Sequence, residues 1–198
     1  MDERRLILAR SELILGGQKS GKSRRAELLA RDWLAVSPNH CAVLIATAQP
    51  WDEEMRARIA RHQVDRAARV PGMTTVEEPL ALAEKITQHS RPDTLVVVDC
   101  LTLWLTNCLM PVQQVYEQSR PLAPVPVTDT AMLLEAIAAA PGPVVLVGNE
   151  IGLGVIPMGA EVRAFVDALG QLNQGVARVC QRVTLMTAGL PLILKDAG

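Results

Sequence analysis

The stretch "LILGGQKSGKSRRAELLA" (Leu13–Ala30) runs from an apolar segment through a Gly/Ser/Lys knot into a helical pattern. Gly16, Gly17, Gln18, Lys19, Ser20, Gly21, Lys22 and Ser23 fit G-x-x-x-x-G-K-[ST] at every fixed position, with the strand before and helix after that the motif requires. Such a loop turns backbone N–H groups inward on phosphate oxygens, so glycine is needed where a side chain would collide or where φ is positive. Lys22 then offers a point charge to the β- and γ-phosphates and Ser23 a hydroxyl ligand for Mg2+, while the following helix directs its positive end at the anion. A glycine-rich turn with a chance lysine is the competing reading, and the flanking elements argue against it. Most of Lys19, Arg24 and Arg25 are expected to be ordinary solvated charges.

Outward from this loop, apolar runs alternate with amphipathic stretches: "CAVLIATA" with "DEEMRARIARHQVDR", "TLVVVDC" with "LTLWLTNCLM", "PVVLVGN" with "EVRAFVDALGQLNQGVARV", then "RVTLMTA" and "LPLILK". The alternation predicts an α/β fold, a single P-loop domain over residues 1–198 with a mostly parallel sheet flanked by helices. Its strands are expected to be buried on both faces and its ligands to collect beyond their carboxyl ends. Asp99, closing "TLVVVDC", stands where a magnesium-holding acid belongs; a helix cap for "LTLWLTNCL" is the competing role. The helix of "DEEMRARIARHQVDR" is expected to turn Met55, Ile59 and Ala60 to the core, with Asp52 and two glutamates at its positive end. His62 lies late in it, where a histidine is ordinary electrostatics. "MPVQQVYEQSRPLAPVPVTD" (Met110–Asp129) is rich in proline and reads as an exposed loop between two helices.

Composition narrows the class. With 198 residues there is room for one good core. The 20 basic and 21 acidic residues nearly cancel, which argues against nucleic acid or an anionic membrane and for a small-molecule partner. Cys41, Cys100, Cys108 and Cys180 form no C-x-x-C pair and read as reduced thiols of a cytoplasmic protein. No apolar run reaches the roughly 18 residues of a membrane span, and "MDERRLILARSE" is too short an apolar segment for export. His40, His89, Trp33, Trp51 and Trp104 receive no functional role; the tryptophans read as packing.

Taken in order, "LGGQKSGKSRRAE", "IATAQPWDEEMRARIARHQVDR", "TVEEPLAL", "VVVDCLTLWLTN", "VGNEIGLGVIP", "GQLNQ" and "AGLPLILK" resemble the bifunctional adenosylcobinamide kinase/adenosylcobinamide-phosphate guanylyltransferase family of cobalamin biosynthesis. The resemblance spans nearly the whole chain and implies a RecA-like domain with two activities. The first phosphorylates the aminopropanol hydroxyl of adenosylcobinamide from ATP or GTP. The second takes GMP from GTP onto a histidine and passes it to the phosphorylated substrate, giving adenosylcobinamide-GDP. It implies that His62 is the guanylylated residue, and that nucleotide contacts come from Gly16 to Ser23, Thr47, Ala48, Gln49, Gln63, Val64, Asp65, Arg66, Glu77 and Asp99, with Ser23 and Asp99 on the metal. It also implies a homo-oligomer, a trimer, and places the Asn149–Glu150 loop at the mouth of the site, with Gly152 and Gly154 allowing close backbone approach.

One nucleotide serving both steps demands movement, for which segments Thr47 to Trp51 and Val64 to Gly72 are the candidates. The chain departs from the family pattern at Pro71–Met73, at Met158–Gly159, and at Gly175, where an arginine is usual and a phosphate or subunit contact would be lost. Two rivals remain: a monofunctional P-loop kinase of another small alcohol, and a nucleotide-binding regulatory protein.

Overall fold

The computed structural model describes residues 8–50, 52–110, 127–155 and 157–197. Seven strands form one sheet in the order β3-β2-β4-β5-β1-β6-β7. The strands are β1 (Ser11–Gly16), β2 (Cys41–Ala46), β3 (Met73–Glu77), β4 (Thr94–Asp99), β5 (Val144–Val147), β6 (Arg182–Thr187) and β7 (Leu190–Asp196). All neighbours are parallel except the β6–β7 hairpin. The helices are α1 (Lys22–Leu34), α2 (Glu53–Arg69), α3 (Leu82–His89), α4 (Leu101–Leu109), α5 (Val127–Ala139) and α6 (Ala160–Val179).

Strand periodicity divides the core in two. Leu13, Leu15, Ile45, Val96 and Val98 point to the face covered by Leu82 and Ile86 of α3, Trp104 of α4, Leu133 and Ile137 of α5, and Leu172 and Val176 of α6. Ile14, Leu44, Val97, Val145 and Val147 point to the other face, against Ala26, Leu29 and Ala30 of α1. Each fully buried leucine or isoleucine contributes roughly 1.5–3 kcal/mol relative to exposure.

The α/β alternation predicted above is therefore present, with four differences. Burial on both faces holds for β1, β4 and β5, but the edge strands β3 and β7 are largely exposed; the neighbouring helices reach them through polar side-chain contacts such as Arg66 to Thr75 and Lys195 to Ala177. Helix α2 turns only partly inward: Met55 and Ile59 are half-buried, Ala60 is exposed, and none of its residues is buried. It also continues through Arg69, so most of the segment from Val64 to Gly72 is helix and not loop. The short elements β3 and α3 fall outside the alternating segments: β3 is defined by its parallel pairing with β2, and α3 by Leu82 and Ile86, one turn apart, packed into the core. Of the proline-rich segment, residues 111–126 fall outside the described residues and α5 begins at Val127; Trp51 also lies outside them.

Arg25 is not a solvated charge. It lies one turn into α1 with its Nη2 2.9 Å from Glu12 Oε1, the two side chains 8% and 0% exposed, and Thr184 Oγ1 donates to the same carboxylate oxygen at 2.8 Å. The pair fastens α1 to the centre of the sheet directly behind the phosphate-loop sequence. Gly175 is likewise a packing residue: a Cβ there would sit 3.3 Å from Leu134 of α5, so position 175 faces a neighbouring helix and not a phosphate.

Removing one member of a buried pair strands the other's charge, so Arg25→Ala is expected to cost about 3–5 kcal/mol in urea unfolding. Arg56→Ala, which breaks the exposed Arg56–Glu53 pair on α2, is expected to cost less than about 1 kcal/mol. Equal, small losses would show that Glu12 finds other solvation.

Candidate active site

The parallel register sets the site. Glu77, Ala46, Asp99 and Val147 lie side by side across β3, β2, β4 and β5, so the loops leaving these strands and the turn after β1 emerge along one edge of the sheet. Thr47, Glu77, Asp99, Asn149 and Gly16 to Ser23 therefore come together at the carboxyl ends, as expected from the α/β pattern.

The turn from β1 into α1 is tight. Gly16 has φ 153°, and a Cβ there would lie 2.4 Å from the carbonyl oxygen of Met186 and 2.6 Å from Ser20 Oγ. Gly21, the residue before α1, has φ 102°, and Lys19 takes a left-handed φ of 56°. The loop closes through Ser20 N–H donating to Gly17 O at 3.3 Å and is tied to the β6–β7 hairpin by Gly189 N–H donating to Ser20 O at 3.1 Å. Gln18 and Lys19 are exposed, and the Ser20 hydroxyl is buried with no partner.

Lys22 Nζ folds back to donate to Gly17 O at 2.6 Å. Burial pushes this ammonium below its usual range, and negative charge at Cys100 and Asp99 acts the other way. Burial lifts the Cys100 thiol to about 12, and Asp99 is the carboxylate that faces Lys22. The cap of α4 is Cys100, without a side-chain cap bond, which leaves Asp99 free of the capping role. Its carboxylate makes no hydrogen bond or salt bridge among the described residues and stands within electrostatic reach of the loop lysine.

Behind Asp99, Thr47 is fully buried and stitches β2 to the start of α4. Its hydroxyl donates to Cys100 O at 2.7 Å and accepts from Cys100 N at 2.9 Å, while Asn107 Nδ2 donates to Thr47 O at 2.8 Å. Thr47 thus shapes the backbone, and Ala48 and Gln49 continue half-buried beyond it.

At the β3 end the two neighbouring glutamates part company. Glu78 Oε1 accepts from Leu80 N and Ala81 N and is spent on the turn into α3. Glu77 is exposed and faces α2, where Gln63 Nε2 donates to it at 3.4 Å. Arg66 Nη1 reaches Thr75 Oγ1 at 3.3 Å, and Asp65 pairs with Arg69, which also holds Glu27 of α1 at 2.9 Å. Asp52 caps α2, accepting from Met55 N at 2.7 Å, in keeping with its expected dipole role. Val64 is 71% exposed. His62 is also exposed, and among the described residues it makes no hydrogen bond to the phosphate loop or Asp99.

On the far side, Glu150 is half-buried: Oε1 accepts from Gly152 N at 3.0 Å, and its own N–H donates to Gly16 O at 3.1 Å. A Cβ at Gly152 would meet that carboxylate at 3.2 Å, so this glycine makes room for Glu150. Sequence reasoning passed over Thr102, Asn107 and Asn173, which hold these loops. An asparagine inside an otherwise apolar helical face was the available signal.

Residues 12–194 match the family described as Cobinamide kinase / cobinamide phosphate guanyltransferase. The chain belongs to this family. It is 46% identical over 185 residues to the bifunctional adenosylcobalamin biosynthesis protein CobP of Pseudomonas aeruginosa, covering 93% of this chain and 96% of that protein. It is 34% identical to the bifunctional adenosylcobalamin biosynthesis protein CobU of Escherichia coli K12, covering 92% and 98%. Among solved structures, flagellar accessory protein FlaH from Methanocaldococcus jannaschii superposes with a TM-score of 0.50 at 12% identity, covering 96% of this chain and 80% of that one. A Pyrococcus horikoshii protein, PH0250, gives 0.51 at 12% identity, covering 98% and 90%. These two likenesses concern the fold alone. Membership makes this chain a nucleotide-using enzyme of cobalamin biosynthesis.

A methyl at Gly16 must displace backbone, and strain of about 1–3 kcal/mol converts to roughly a ten- to hundredfold weaker nucleotide affinity. Calorimetric titration of Gly16→Ala with GTP is expected to show that loss. Gly17→Ala, where a Cβ meets nothing within 4 Å, is expected to stay close to the parent. Equal affinities in both variants would contradict the steric reading of the loop.

Proposed function

We propose that the protein phosphorylates the aminopropanol hydroxyl of adenosylcobinamide from ATP or GTP. It then transfers GMP from GTP, through a guanylyl-histidine at His62, to give adenosylcobinamide-GDP. The observation that carries the reading is the loop Gly16 to Ser23, folded with Lys22 buried at its centre and Asp99 in electrostatic reach, in a chain that matches the family over residues 12–194. The relatives it resembles over nearly their full length are named bifunctional.

In this reading the backbone N–H groups of the loop and the positive end of α1 hold the triphosphate, and Lys22 neutralises charge on the transferred phosphoryl group. A lysine already held partly desolvated acts more strongly than one in water. Ser23 and Asp99 would hold Mg2+; a half-buried hydroxyl at the start of α1 and a carboxylate without another partner suit a hard cation. That ion supplies further charge neutralisation on the phosphates. Ala48 and Gln49 line the nucleotide from the end of β2, with Thr47 holding the backbone behind them, and Gln63, Val64, Asp65, Arg66 and Glu77 surround it from α2 and β3. Chain 1–198 works as a single nucleotide-binding unit, in the cytoplasm and as a homo-oligomer, a trimer. Among the described residues no helix is long and apolar enough to cross a membrane.

His62 is the nucleophile toward the α-phosphorus: its neutral imidazole attacks, the bond to pyrophosphate breaks, and the resulting phosphoramidate later yields GMP to the substrate phosphate. Because α2 buries none of its residues and is attached through polar side chains, it can shift toward the nucleotide at little packing cost.

His62→Ala is expected to lose guanylyl transfer by at least about a thousandfold while keeping phosphorylation of adenosylcobinamide within about threefold, and Lys22→Ala to lose both. Product analysis by chromatography separates the two steps. Loss of both activities in His62→Ala would remove the division of labour, and undiminished transfer would return His62 to a plain helix-end residue.

A further inference from the structure

A buried amide beside the site has no part in the steps above. Asn173 is 3% exposed on the face of α6 that otherwise presents Leu169, Leu172 and Val176 to the core. Burying an amide among aliphatic side chains is costly unless its hydrogen bonds are made. Asn173 Nδ2 donates to Asn149 O at 3.0 Å and, with a longer reach, to Glu150 Oε2 at 3.4 Å. Its Oδ1 is buried without a partner and faces Gly148, where a Cβ would lie 3.4 Å from it and 3.2 Å from Leu15. The glycine leaves the space that the amide occupies.

The turn held by this amide is also held from two other elements. Asn149 N–H donates to Thr102 Oγ1 of α4 at 2.9 Å, and Glu150 N–H donates to Gly16 O at 3.1 Å. The last bond ends on the first residue of the phosphate loop, which packs so closely on β6 that a Cβ there would lie 2.4 Å from Met186 O. An unbroken path therefore runs from α6 through the Asn149–Glu150 turn to the loop.

We infer that Asn173 is a positioning residue for the phosphate loop: its side-chain amide fixes the Asn149–Glu150 turn, and that turn braces Gly16 in its nucleotide-binding shape. This rests on the nucleotide reading of the loop. An apolar residue would serve α6 packing at this position equally well, so the amide's contribution is to the turn. It differs from Asn107, which is also buried but spans the chain at Thr47 and Pro79, away from the β1 turn.

The test separates bracing from general stability by measuring GTP affinity calorimetrically well below each variant's melting temperature. Asn173→Leu, nearly the same size without donors, is expected to weaken GTP binding about five- to thirtyfold, the usual range for losing a buried hydrogen bond. Leu172→Ala, on the same helix, is expected to lower the melting temperature at least as much and to leave affinity within about twofold. Asn173→Asp sets a carboxylate against Glu150 and the Asn149 carbonyl and is expected to bind more weakly than Asn173→Leu; adding Glu150→Gln, which offers a donor to the new acid, is expected to recover at least about threefold. These last two variants carry the test if Asn173→Leu fails to fold. Unchanged affinity in Asn173→Leu, or equal losses in it and Leu172→Ala, or no recovery in the double variant, would overturn the inference. Parent protein that does not bind GTP would overturn the nucleotide reading itself, and the inference with it.

Discussion

The chain must turn from β1 into α1 where there is no room for a side chain. Gly16 sits against the Met186 carbonyl and the Ser20 hydroxyl, and everything else at the sheet edge is arranged around that closure. β6 supplies the wall, the β6–β7 hairpin fastens Ser20, and the Glu12–Arg25 pair fixes the first turns of α1 to the sheet. The result is a loop whose shape the protein's own packing and hydrogen bonds define, which lowers the ordering cost of binding a phosphate. Lys22 shares in that preorganisation. Its amine rests on Gly17 O within the loop, desolvated and opposite Asp99, and not extended into water.

The two halves of the site are built with different rigidity, and the difference follows from burial. Along the strand ends, Thr47, Asn107, Thr102 and Asn173 form buried and part-buried hydrogen bonds that pin successive loops to the helices behind them. Across the cleft, α2 carries His62, Gln63 and Arg66 on a helix without one buried residue. Phosphoryl transfer needs fixed charges around a fixed triphosphate, whereas a histidine that must reach the α-phosphorus in a separate step is better placed on an element that can move.

How much of this could be read beforehand depends on the range of the interaction. The tight turn from β1 into α1 and the placement of Asp99 at a strand end were legible because their signal is local: eight consecutive residues and one strand end carry it. The central strands were legible for the same reason, since β4 and β5 are short valine-rich apolar runs. That Arg25 is the paired one among its neighbouring cations was not legible, because its partner Glu12 lies on a different element, and a sequence shows charge but not pairing. Gly175 was misread as a lost cation because helix periodicity alone did not reveal that it faces Leu134. α2 was expected to bury Ala60, yet its apolar positions are too few to hold it against the sheet. The buried asparagines depended on loop geometry that only tertiary structure provides, and His62 acquired its proposed role from the resemblance and not from its surroundings.

The central claim is that one phosphate loop presents a nucleotide both to an acceptor alcohol and to His62. Its most direct test is to incubate the protein with magnesium and GTP labelled at the α-phosphorus, denature it, and map any retained label. The account predicts an acid-labile, alkali-stable adduct on the peptide containing His62, formed with release of pyrophosphate. Protein that turns over GTP with adenosylcobinamide yet retains no label, or retains it on another residue, would contradict it.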